Sequence, residues 1–151
     1  MNISKLARVP VLALLITFTS ACATVPVGLP SNVPLPGDIT VTPPSSDVPA
    51  EYAAFSGKWV GVWDRVQDHV LVVETITGTE AKVVYAVGLA PWTPTPRYSR
   101  MTGKLEGKVL KVVFGTTGRT ATYRQVREGV LDATFEGPGV FSTAQMFKLK
   151  G

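Results

Sequence analysis

Between residues 58 and 149 the chain is a series of short β-type runs cut apart by glycine-bearing turns, and this pattern restricts its fold more than any other feature. The runs cover 58–63, 70–77, 81–88, 98–105, 108–114, 119–127, 130–135 and 140–149, and are rich in Val, Thr, Tyr and Phe. Between them lie Gly78-Thr79-Glu80, Glu106-Gly107, Gly115-Thr116-Thr117-Gly118, Glu128-Gly129 and Glu136-Gly137-Pro138-Gly139. Glycine there supplies the positive φ of tight hairpins. No window carries a 3.6-residue apolar period of helical length. Side-chain alternation predicts one buried face. Leu110, Val112 and Phe114 share a side opposite Lys111, and Leu131, Ala133 and Phe135 oppose Asp132. The expected fold is all-β: a small antiparallel up-and-down meander of about eight strands over residues 51–151. Closure into a barrel removes both exposed edges, and a partly open, strongly bent sheet is the alternative.

The first fifty residues have a different texture. Lys5 and Arg8 precede an apolar run over 9–18, and the small residues Ser20, Ala21 and Ala23 follow. That order marks a signal peptide. The run is about half of the ~20 residues that a spanning helix needs. Thr19-Ser20-Ala21-Cys22 resembles the lipobox of bacterial lipoproteins, which implies cleavage after residue 21 and lipidation of Cys22. The competing reading is Ala21-Cys22-Ala23 as an ordinary A-x-A site. Lipidation is the expectation, because the only cysteine sits where the acyl group is attached. The resemblance implies a lipid-anchored envelope protein, in the outer membrane and facing the periplasm if the host has two membranes.

Residues 23–50 hold Pro26, Pro30, Pro34, Pro36, Pro43, Pro44 and Pro49. Proline removes backbone donors and fixes φ, so an extended, disordered tether is expected between anchor and domain. The formal charge of +4 falls to +2 once Lys5 and Arg8 leave with the leader. With no Lys/Arg cluster in the chain, nucleic acid is not an expected partner.

Phe55-Ser56-Gly57-Lys58-Trp59 places G-x-W at the start of the β domain. This resembles the opening motif of the calycins, the lipocalins, fatty-acid-binding proteins and avidins. The resemblance implies that Trp59 closes one barrel end beneath a basic side chain, with Lys148 or Arg124 as the candidates.

Candidate binding residues follow from position. Trp59 and Trp63 share strand parity, so both indoles face one side, as core or as a stacking wall. The segment 89–97, LAPWTPTPR, is the longest connection in the domain and carries Trp92 near its middle, where it can recognise a ligand or cover the core. Arg97 and Arg100 flank the next run and can pair with an anion or stay solvated. Tyr85 and Tyr123 lie mid-strand, where an inward hydroxyl can meet a ligand or a core partner. The candidate ligand-binding set is therefore Trp63, Tyr85, Trp92, Arg97 and Tyr123. Asp64, Asp68 and His69 fall in the first connection and are expected to form an exposed polar loop.

No catalytic set is expected. The single histidine, with no second cysteine beside it, leaves no zinc site, and no G-x-S-x-G nucleophile setting exists. Gly115-Thr116-Thr117-Gly118-Arg119 lacks the spacing of a phosphate loop and is expected to be a hairpin turn. Nor does the sequence call for a cofactor. The expected function is binding of a small apolar or amphipathic ligand. The alternative is a non-enzymatic module that contacts another envelope protein or the cell wall. A minor third reading, an enzyme, would centre on His69.

Overall fold

A computed structural model describes residues 28–150, so the leader and Cys22 lie outside the described residues. Eight strands follow one another: β1 Gly57–Trp63, β2 Gln67–Thr77, β3 Glu80–Val87, β4 Arg97–Glu106, β5 Val109–Val113, β6 Thr120–Arg127, β7 Val130–Gly137 and β8 Val140–Lys148. Each pairs antiparallel with the next, and β8 returns to β1, so the sheet is a closed up-and-down barrel. Of the two arrangements expected, the closed one is adopted. The seam is short: Trp59, Val60 and Gly61 face Lys148, Phe147 and Met146. Gly61 permits it, because a Cβ there would stand 2.5 Å from the Gln145 carbonyl oxygen and from Met146 Sδ.

Most strand ends fall within a residue or two of the expected runs. β2 is the exception, starting three residues early at Gln67. The hairpin before it turns on Asp64 and Arg65, at φ 48° and 63°, with no glycine to announce it. Asp64 holds the turn from the far side of the seam. Its N–H donates to the Thr143 carbonyl, and its carboxylate accepts from the Thr143 N–H, both at 2.9 Å. Asp68 and His69 consequently lie in a strand, and His69 is fully buried. This corrects the exposed loop expected for them.

One end of the barrel is plugged. The single helical turn α1, Ala50–Ala53, leads into Phe55, which is buried among Trp59 and the lower core. The Trp59 indole N–H donates to the Phe55 carbonyl at 2.8 Å. Lys148 Nζ sits 5.3 Å from the Trp59 ring centroid and donates to the Ala54 carbonyl. Of the two cations expected over this tryptophan, Lys148 takes the place. Leu71, Leu110, Leu131 and Met146 fill the space above it.

Residues 28–49 contain neither strand nor helix, as their prolines require, yet the described part of the expected tether packs on the barrel. Val60, Val70, Val72, Val84 and Ala86 point outward from β1, β2 and β3. Val33, Leu35, Ile39 and Val41 cover them, with Leu149 beside. The Thr42 N–H donates to the carbonyl of Glu74, which is the bulged residue of β2. Arg100 on β4 bridges Glu74 and Asp38, with its closest approach, 2.8 Å, to Asp38. The segment is a strap over an outer valine face. Proline excludes regular structure but does not stop interleaved apolar side chains from burying themselves.

Candidate functional site

The other end of the barrel is open. Around it stand the connections 64–66, 88–96, 114–119 and 138–139, the alternate turns of the meander. They enclose a cup of about 380 Å³, near the lower end of the range for small-molecule pockets. Register explains who faces inward. Tyr85 and Val87 on β3 lie opposite Ser99 and Arg97 on β4, and all four line the cup. Phe114 continues the inward row of Leu110 and Val112. Arg119 precedes inward Ala121 and Tyr123 by the same two-residue step.

The walls are aromatic. Tyr85 meets Phe114 edge-on at 4.9 Å, and Phe114 meets Phe135 edge-on at 5.2 Å, while Trp63 lies 6.1 Å from Phe135. Edge-on pairs at these distances are a favoured aromatic geometry. Trp92 stands at the rim on a small turn closed by two bonds between Ala90 and Thr93. It is 55% exposed. Its indole N–H reaches Gln67 Oε1 at 3.3 Å, and the Gln67 amide donates to the Gly88 carbonyl. Trp92 is therefore a braced rim residue and not a closed lid.

A polar pair seals the floor. Ala86 offers His69 only a carbonyl oxygen, at 2.8 Å, so His69 Nδ1 must carry the proton. Nε2 is then an acceptor, and the Tyr123 hydroxyl donates to it at 2.8 Å. Burial pushes the His69 pKa down to about 4, and the Ala86 bond offsets that only in part. Burial also raises the Tyr123 phenol well above its usual range, so it stays a donor. The His69 ring lies 5.0 Å from Trp63 and 4.5 Å from Tyr85. With every polar atom engaged, this pair closes the interior beneath the cup.

Four of the five candidate residues come together at the cup: Trp63, Tyr85, Trp92 and Arg97. Tyr123 does not. It lies fully buried below the floor, committed to His69. Its inward position was legible, but its depth was not, because alternation gives a face without a level. Arg119, Phe114 and Phe135 line the cup and were missed as binding residues, although their two-residue spacing from inward neighbours carried the signal. Arg100 serves the strap instead. The 114–119 segment is the hairpin expected of it. The Thr117 hydroxyl donates to the Phe114 carbonyl at 2.7 Å and accepts from the Arg119 N–H. When the chain is compared with protein-family models and with curated proteins, none matches it.

Proposed function

We propose that this chain is a lipid-anchored envelope protein whose barrel binds a small amphipathic molecule at its open end. One observation carries the binding part: the barrel is filled and plugged below, while its upper end holds an aromatic-walled cup with the polar rim residues Arg97, Ser99 and Arg119. An aromatic wall already packed ring against ring gives an apolar ligand a preformed surface, which lowers the entropic cost of binding. The plug of Trp59 under Lys148 favours kinship of form with calycins, an analogy of fold that adds little about the ligand.

The anchor rests on the leader and on Cys22. If acylated there, the protein is held closely. The described strap begins at Gly28, so only five residues lie between it and Cys22, a span of at most roughly 20 Å. A second reading, docking of an envelope protein on the mouth, is favoured by the exposure of Leu89, Trp92 and Phe141 near that end. Native mass spectrometry on the full chain, expressed with its own leader and released gently from membranes, separates the two. A reproducible small adduct that dissociates on denaturation supports the cup. A bare mass from every preparation, together with a cross-linked protein at Trp92, turns the assignment to docking.

A further inference from the structure

Arg97 and Arg119 are the charged residues of the cup, and no carboxylate lines it. Among the described residues neither arginine forms an ion pair; the two bridges present both belong to Arg100. Arg97 stands close enough to Tyr85 for its charge to act on the phenol. The Tyr85 hydroxyl makes no hydrogen bond within the described residues. Beside it the buried Trp63 indole N–H lies close enough to act on the phenol, yet it is the one buried side-chain polar atom without a hydrogen-bond partner among the described residues. A buried donor without an acceptor destabilises the fold.

From this convergence of donors without acceptors we infer that the ligand is an anion, a carboxylate on a flat apolar body. The inference rests on the cup being a binding site at all. The body lies between Phe114, Phe135 and Trp92. One carboxylate oxygen accepts from the Tyr85 hydroxyl, and Arg97 and Arg119 supply the opposite charge. A hydroxyl donates one bond and can still accept another, so an anion that accepts from Tyr85 leaves the phenol oxygen available on the Trp63 side. A cationic ligand would meet two unpaired guanidinium groups with nothing to offset them.

The test uses three rigid probes of one shape: 2-naphthoate, 2-naphthalenemethanol and 2-naphthylmethylammonium. Each is titrated calorimetrically into the full chain held in lipid nanodiscs, with empty nanodiscs as the blank. The acid is expected to bind about tenfold tighter than the alcohol, and the amine weakest. In the Arg97→Gln/Arg119→Gln double variant the acid's advantage is expected to shrink to within about threefold, and Tyr85→Phe is expected to weaken the acid several-fold more than the alcohol. The two arginines are exposed, so their replacement leaves the core intact even if the Tyr85 variant folds poorly. If alcohol or amine binds as tightly as the acid, the anionic assignment falls while the cup stands. If no probe binds, including the acid, the cup falls with it.

Discussion

His69 shows how much one buried residue commits the structure to. Its ring is neutral, protonated on Nδ1, and held between the Ala86 carbonyl and the Tyr123 hydroxyl. The unfolded chain takes up a proton near pH 6.5, whereas the folded protein refuses it until about pH 4. Stability from this residue is therefore complete above pH 6.5 and lost as the pH falls toward 4, by about 3 kcal/mol in all. Urea unfolding of the wild type and of His69→Gln, at pH 7 and pH 4.5, checks this. The wild-type advantage is expected to shrink by about 2–3 kcal/mol at the lower pH. An advantage equal at both values would mean that His69 titrates normally. Sequence placed His69 in an exposed connection because nothing between Trp63 and Val70 looked like a strand start. The turn on Asp64 and Arg65 depends on Thr143, which is 79 residues away from Asp64 along the chain.

At the level of elements, the strap is the main departure from the sequence reading. Its prolines correctly forbade regular structure. They said nothing of Val33, Leu35, Ile39 and Val41, whose partners lie on three strands. A second signal was present in those strands. Leu110, Val112 and Phe114 alternate with exposed neighbours, but Val70, Leu71, Val72 and Val73 are all buried, as a strand is when both its faces are covered. An unbroken apolar run on a barrel strand asks for something outside the barrel, and the strap supplies it. Replacing Val33 and Ile39 together by Ser is expected to cost about 2–4 kcal/mol, read as a lower urea midpoint. It is also expected to open the strap to limited proteolysis while the barrel survives. A midpoint and cleavage pattern like the wild type's would show that the strap adds no stability. Glu74 joins the two layers. Its bulge bends β2, its carbonyl accepts from Thr42, and its carboxylate meets Arg100.

At the scale of the whole molecule, the barrel is asymmetric from end to end. Phe55, Trp59 and Lys148 shut one end. The opposite end carries the long 88–96 connection, the braced Trp92 and the aromatic cup. This polarity is what makes the open end the candidate for recognition. The anchor reading makes a separate prediction for the chain expressed with its leader. Cys22→Ser is expected to abolish labelling by radioactive palmitate in a bacterial host, and to move most of the protein from the membrane to the soluble fraction. Persistent labelling, or unchanged fractionation with membranes, would refute lipidation at Cys22 and leave the ordinary cleavage site as the reading of the leader.

The sequence alone determined the strand count, nearly all strand limits and the buried faces of β5 and β7, since these follow from alternation and from glycine in the turns, both local properties. The resemblance of its G-x-W motif to that of calycins implied Trp59 at one end beneath a late-strand cation, Lys148 or Arg124, and Lys148 takes that place. Tertiary structure decided the rest. Barrel closure needed Gly61 to admit β8, and the early start of β2 needed Thr143. The docking of 28–49 needed three strands to present one valine face. Likewise, only packing in depth could separate Tyr85, open to the cup, from Tyr123, sealed below it. Alternation says which way a side chain points, and how far it lies from the mouth emerges only when the sheet has closed.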